Sequence, residues 1–492
     1  MLPKNRSQIF PAITKGLPVR AGSPRDFPWN FKDSSRKLKI IVLVLVSFLA
    51  LPTISAVARV SLIRDAEIEH SIRAFAAPLF AAAGLDAEAV SVHIVNDRSL
   101  NAFVSGGQRI FVNTGLILAV DSASEILGVL AHESGHIIGG HLVRGREAME
   151  NATTQSIIAM ILGMAAIVGS QGDVGSAVIS GGQHVANRTL LRYSRIQESL
   201  ADQAAIRIIN KAGYSPAGMM SMLEKMRGQE TLITSRQDPY VRSHPLTTER
   251  ITTMRAATEK AGPGKDISHF ETMLRRMKAK IYAYMEDPDR TFRRYPPEDR
   301  SFAGRYGRAI ALHREARTDE ALVLLDGLEA EQPRDPYIQE LKGQFLFESG
   351  HAAKAVPVLI KAADLSPDDF LILMLLGQAE IASEDPGMTR NAINHLKAAA
   401  RLEPRLPSIW RHLAIAYGRS GNLPRSSLAS AEFSLLTGRP AEARHFATKA
   451  QAGLPAGSPD HLRAQDIQRS AGNAIKKQQR RAQNKSKYGA DC

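Results

Sequence analysis

The residues best suited to do chemistry lie in one short run, His132-Glu133-Ser134-Gly135-His136. On an α-helix, residues four apart project about 40° from one another, so both imidazoles share a face and can bind one zinc ion, Zn2+, per chain. Glu133 then sits beside the metal. A carboxylate there can take a proton from water acidified by the ion and pass it to a leaving amine. Because a catalytic zinc keeps an open position, one further protein ligand is required. The single cysteine is the last residue, Cys492, so the donors must be His, Asp or Glu.

Two downstream positions compete for that third place. A metzincin would have its third His at position 142, which here is Leu142. His141 fails on geometry: if the helix continued, it would point about 180° away from His132, so it reads as a packing or hydrogen-bonding residue. The better candidate is Glu198, within Arg195-Ile196-Gln197-Glu198-Ser199-Leu200-Ala201-Asp202. Glu198 and Asp202 are again four apart. One of them can bind metal while the other orients a ligand imidazole through its free N–H.

The elements that must position these groups can be read from the surrounding pattern. A helix is expected over Ile63 to Ala83, a strand over Val90 to Val95, and a second extended segment whose Gly106-Gly107 turn feeds Arg109 to Val112. Ser122 and Glu125 have the spacing of a capping box, so the helix that carries His132 and His136 should start there. The Ile-, Met-, Ala- and Gly-rich stretch from Thr153 to Ser180 reads as a helical hairpin, with each arm too short to span a bilayer. A further helix should cover Tyr193 to Ala212. Beyond that, Pro333, Pro367 and Pro404 close successive helical pairs at intervals of 34 and 37 residues, close to the tetratricopeptide period. Gly343, Gly350, Ala355, Ala362, Gly377, Ala392 and Ala399 fall in step between them, where small residues let paired helices approach closely.

Composition bounds the rest. The net charge of +14 is concentrated at the ends: residues 1–39 carry nine Lys/Arg against two Asp, and residues 463–492 carry eight against two. The central body is nearly neutral, which argues against nucleic acid as a partner, since phosphate tracking needs clustered Lys and Arg. Ile40 to Leu51 is an apolar run behind a basic stretch, followed by Ala56-Val57-Ala58. This reads as a signal peptide cleaved near Ala58, or as an uncleaved anchor in the inner membrane, and either places the rest in the periplasm. The expected layout is a basic n-region and signal or anchor (1–58), a zinc metallopeptidase domain (59–262), a linker helix region (263–300), tetratricopeptide-like repeats (301–458), and a basic, disordered tail (459–492) in possible peripheral contact with phospholipid.

These residues resemble the gluzincin metallopeptidases that include HtpX, the CAAX prenyl endoproteases and the periplasmic BepA-type enzymes. The resemblance rests on Asn101-Ala102-Phe103 with Gly106-Gly107, Asn113-Thr114-Gly115-Leu116, His132 to His136, Glu198 to Asp202, and His244-Pro245 with Arg250. The BepA-type layout covers nearly all of the chain after the signal. It implies an α+β zincin-like metalloprotease domain, mostly helical with a small sheet, followed by an all-α tetratricopeptide solenoid. It further implies His132, His136 and Glu198 as zinc ligands, Glu133 as the catalytic base, and Asp202 behind the ligands. His244 would approach the zinc and fill its open position in a latent state, or a residue near it would stabilise the oxyanion. Arg250 belongs to the same segment. Asn101, Ala102 and Phe103 would form an edge strand to which an unfolded substrate adds as another strand. Leu200 stands where many periplasmic members have a second Glu.

Two readings of function follow. In the first, the chain is an endopeptidase that cleaves unfolded or stalled proteins, with the repeats docking on the outer-membrane assembly machinery. In the second, it is a repeat scaffold or chaperone with a largely latent metal site. An inner-membrane protease of the HtpX kind would need several membrane spans.

Overall fold

The computed structural model describes residues 61–87, 89–141, 144, 153, 194–230 and 244–489. The expected signal or anchor within 1–58 and the hairpin at 153–180 lie outside these residues, apart from Thr153. Among the described residues, no helix is long and apolar enough to cross a membrane.

The first part is a small sheet against helices. Strand β1 (Leu62–Ile63) pairs antiparallel with β2 (Ser91–Val95), β2 pairs parallel with β4 (Arg109–Asn113), and β4 pairs antiparallel with β3 (Ala102–Ser105). The order β1-β2-β4-β3 makes β3 an outer strand. Its turn into β4 runs through Gly106 and Gly107, both at positive φ. Helix α1 (Ala66–Ala83) begins later than its apolar pattern suggests, because the Asp65 side chain caps it by accepting from the Ile68 N–H at 2.9 Å.

After the short α2 (Thr114–Ala119) comes α3 (Ala123–Ile138), which starts one residue after Ser122. The capping box forms only in part. Ser122 makes no side-chain cap bond, and Glu125 reaches back to the Asp121 N–H at 3.0 Å while also accepting from the Ser221 hydroxyl at 2.6 Å. A helix over 194–212 (α4) crosses α3, followed by α5 (Ala217–Glu230), α6 (Thr248–Ala261) and α7 (Ser268–Met285). Phe75, Leu79, Ile94, Ile110, Leu116, Leu130 and Ile208 share one buried core with these helices.

Where the sequence suggests a linker helix region over 263–300, α7 is helical and forms a wall shared by two cores. Phe270, Leu274, Met277 and Ile281 enter the first core, while Ala283 enters the core of the first repeat. Its apolar positions recur every three or four residues among charges, which is the pattern of a buried amphipathic helix. The short α8 (Pro288–Arg294) then leads into paired helices. These are α9 and α10 (Phe302–Arg314, Thr318–Glu331), α11 and α12 (Pro336–Glu348, Ala352–Leu365), α13 and α14 (Phe370–Ala382, Pro386–Leu402), α15 and α16 (Pro407–Arg419, Leu423–Leu436), and α17 and α18 (Pro440–Gly453, Pro459–Gly489).

Small residues do the work expected of them within the pairs. A side chain at Gly377 would sit 2.6 Å from Leu396, and Ala355, Ala362, Ala392 and Ala399 are fully buried. The tail at 459–492 departs from expectation, because Pro459–Gly489 is helical. Ala464, Ile467 and Ala471 form a stripe at helical spacing that packs on Ala443, Ala447 and Ala450 of α17. The surrounding Lys, Arg and Gln mask this stripe in the composition.

Candidate metal centre

Helix α3 presents His132, Glu133 and His136 from a buried stretch, with His132 and Glu133 no more than 1% exposed. Across it runs α4. The two helices approach closely at Gly135, where a side chain would lie 2.7 Å from the Ala201 carbonyl oxygen. That approach lets the Glu198 carboxylate reach both rings. Its Oε2 is 3.3 Å from His132 Nε2 and its Oε1 is 3.3 Å from His136 Nε2, while the two Nε2 atoms are 3.1 Å apart. One turn further along α4, Asp202 Oδ1 lies 2.9 Å from His132 Nδ1, behind the ring rather than in the cluster.

The segment before α6 closes the far side. His244 Nδ1 stands 3.3 Å from His132 Nε2 and 3.1 Å from Glu198 Oε2. It is held there by Arg250, in the first turn of α6. The Arg250 guanidinium donates to Asp202 Oδ2 at 2.6 Å and Oδ1 at 3.0 Å, lies 3.1 Å from Glu198 Oε2, and also donates to the carbonyls of His244 (3.3 Å) and Pro245 (2.9 Å). One planar fork thus fixes two carboxylates and the loop bearing His244, which accounts for the spacing of His-Pro and Arg.

Atoms of His132, His136, Glu198 and His244 all lie within 4.8 Å of one another. A tetrahedral zinc with ligands at about 2.0–2.1 Å requires donor-to-donor edges of about 3.3 Å. The separations given above, 3.1 to 3.3 Å, are close to that figure, with Glu198 meeting His132 and His244 through Oε2 and His136 through Oε1. The donor set therefore fits a divalent ion with nitrogen and carboxylate preferences. Both Glu133 oxygens are buried without a hydrogen-bond partner, and His244 Nε2 lies 3.6 Å from Oε1. A buried carboxylate left in this state is costly unless it has a reacting partner to receive.

Electrostatics point the same way. Burial pulls the His132 imidazole down, but Asp202 and Glu198 outweigh it and raise the ring to about 10. Burial alone would raise the Glu198 carboxyl; the charge it meets at His244 and the bonds from His132 and His136 hold it well below the usual carboxylate range. For Asp202, burial is likewise overcome by His132 and Arg250, leaving the group below its ordinary value. The cavity thus has a standing affinity for a cation, whether a proton or a metal.

The structure brings His132, Glu133, His136, Glu198, Asp202, His244 and Arg250 together. Asn101, Ala102 and Phe103 lie apart, at the outer strand: the Asn101 carbonyl accepts from the Asn113 N–H at 2.9 Å, and Phe103 stacks on Phe111. Strand β3 starts at Ala102 rather than Asn101 and contacts α3. His141 is outside the donor cluster, but the geometric reason given for that does not hold. Helix α3 ends at Ile138, Gly140 turns the chain at φ +60°, and His141 Nδ1 folds back to 3.0 Å from His136 Nδ1. The Gly139-Gly140 pair was the available signal.

Residues 63–258 match peptidase family M48. The beta-barrel assembly-enhancing protease of Yersinia pestis is 25% identical over 378 residues, covering 75% of this chain and 76% of that protein. The protein of the same name from Escherichia coli (strain K12) is 23% identical over 376 residues, with the same coverage. Metalloprotease LoiP of Escherichia coli (strain K12) is 27% identical over 168 residues, covering 34% of this chain and 62% of that one. Among solved structures, a crystal structure of MamA covers 35% of this chain and 96% of its own at 16% identity and a TM-score of 0.27, a likeness too slight to argue from.

Proposed function

Since this chain is a metalloendopeptidase whose M48 domain precedes tetratricopeptide repeats, we propose that it is a zinc enzyme of the Gram-negative periplasm that cleaves unfolded or stalled envelope proteins. In this reading it serves quality control of outer-membrane protein assembly, with the repeats docking on the assembly machinery. The names of the relatives from Yersinia pestis and Escherichia coli support that connection. His132, His136 and Glu198 hold the metal, Asp202 and Arg250 fix the ligands, and β3 offers its outer edge to an extended substrate. When bound, zinc supplies Lewis-acid polarisation of the scissile carbonyl and acidifies water. Glu133 accepts the proton from the attacking water and returns it to the departing amine, so it ends the cycle ionised as it began.

One observation carries the reading: donor atoms of His132, His136, Glu198 and His244 within 4.8 Å of one another, beside a buried carboxylate without a hydrogen-bond partner. The test uses purified chain loaded with zinc. Glu133→Gln should retain one zinc while losing cleavage of casein or an unfolded barrel by at least about a hundredfold. Cleavage retained in a pure Glu133→Gln sample would remove that role.

A second reading is favoured by His244, whose Nδ1 occupies the fourth donor position. With that position filled the site is latent, and the repeats act as a scaffold until the loop withdraws. His244→Ala should then raise cleavage above wild type. If it lowers cleavage instead, His244 acts in the reaction. The basic end of α18, with Lys476, Lys477 and Arg480 exposed, fits a peripheral contact with anionic phospholipid.

A further inference from the structure

We infer that His141 is the positioning residue for His136, the neutral counterpart of what Asp202 does for His132. The inference rests on the reading of His136 as a metal ligand. It begins with the way α3 ends. After Ile138 the chain enters Gly139 and Gly140, and the positive φ of Gly140 reverses its direction, which few side-chain-bearing residues tolerate. The His141 ring then occupies the space a side chain at Gly139 would need. The result is a ring 5% exposed, tilted 80° to His136 with centroids 5.0 Å apart. Gln197 on α4 donates to the His141 carbonyl at 3.2 Å, so the turn is tied to the same helix that bears Glu198.

The proton count on the two rings follows from geometry. His136 Nε2 faces the donor cluster, 3.1 Å from His132 Nε2 and 3.3 Å from Glu198 Oε1. A lone pair on Nε2 committed to a metal leaves the His136 proton on Nδ1. That N–H points at His141 Nδ1, 3.0 Å away, which must therefore accept and carry its own proton on Nε2. The two ligand imidazoles are thus oriented by different partners: a carboxylate 2.9 Å from His132 Nδ1, and a neutral imidazole at His136. A partner of this kind restricts ring rotation and sets the tautomer, and losing one typically costs 10–100-fold in metal affinity.

The test measures metal affinity of the full chain by chelator competition, with the visible absorption of a cobalt-substituted sample as a second readout. His141→Leu keeps the bulk without an acceptor. His141→Asn keeps an acceptor near the position of Nδ1. His136→Ala reports on the ligand itself. The expected result is a loss of about 10–100-fold in affinity for His141→Leu with an altered cobalt spectrum, and recovery of most of that loss, with the wild-type spectrum, in His141→Asn. If His136→Ala releases the metal while His141→Leu binds it like wild type, the positioning role is overturned and the ligand reading stands. If His136→Ala itself binds normally, the ligand reading fails first and takes the inference with it. Should His141→Leu lower the melting temperature of the metal-free chain, His141→Asn decides alone: wild-type affinity and spectrum support the role, and a loss in both overturns it.

Discussion

Glu198 and Asp202 place two carboxylates against His132, and the consequence is a ring that keeps its proton far into the alkaline range when no metal is present. Burial works against that proton, but the carboxylates prevail and raise the ring to about 10. A ligand imidazole must be neutral, so metal binding at pH 7 has to expel this proton. Titration of zinc into the metal-free chain, in buffers of differing ionisation enthalpy, should show one proton released from His132 per ion at pH 7, falling to half near pH 10. Affinity should climb close to tenfold per pH unit between those limits. The stability contribution has the matching sign: in the metal-free chain it is complete below the ordinary histidine value of 6.5 and is lost as pH rises through about 10. Asp202→Asn, which removes the negative charge, should shrink both effects. The shared face of His132 and His136 was legible because four-residue spacing on a helix fixes it. The partner of His136 was hidden because a helical wheel says nothing about where the helix stops; Gly140, two residues past Ile138, sends His141 back instead of onward.

Between elements, the site depends on how near α4 can come to α3. Gly135 is an interior position of the motif that imposes no chemistry of its own, yet a side chain there would press on the Ala201 carbonyl at 2.7 Å and on Ala204 at 3.2 Å. Neither is the far end of a flexible chain, so the helices would have to separate. Gly135→Ala should therefore cost about 1–3 kcal/mol in thermal or denaturant unfolding and weaken metal binding, because Glu198 retreats from both rings. Unchanged affinity with lowered stability would show that Glu198 follows the rings regardless of helix spacing. The sequence shows the helices themselves but not this contact, which depends on sixty or so intervening residues. The same limit applies to α7 and α18. Their apolar stripes are three or four positions wide within charged runs, so composition suggests a linking helix at α7 and a disordered tail at α18 where packing makes a shared core wall and a helix. The repeats were easier to read, because successive periods restate small residues and a closing Pro; two of them also open on a capping Asp. Asp335 accepts from the Tyr337 and Ile338 N–H groups, and Asp369 from those of Leu371 and Ile372.

At the scale of the molecule, the peptidase part and the repeats share a cluster of buried charge beside their apolar contacts. Lys280 of α7 is fully buried, with Asp65 Oδ2 at 2.8 Å, Glu67 Oε2 at 3.4 Å and Glu340 Oε2 at 3.5 Å. Tyr306 of the first repeat donates to Glu67 Oε2 at 2.6 Å, and Arg276 bridges Glu67 to Asp335 at the start of the second. Such a network holds a fixed docking angle, because sliding the repeats would strand charges in a dry space. Lys280→Met leaves three carboxylates facing one another and should cost about 3–5 kcal/mol of stability. Glu340→Gln should behave differently. Burial pushes the Glu340 carboxyl up to about 7, so its protonated form already resembles the amide near pH 5. The stability this group contributes is present below its ordinary value of 4.5 and is lost as pH rises through about 7. Melting temperatures of wild type and Glu340→Gln should accordingly lie close at pH 5, with the variant gaining on wild type by pH 8. A variant that instead falls further behind as pH rises would mean that the ionised carboxylate is what Lys280 needs, and that the docking contact is an ion pair in full.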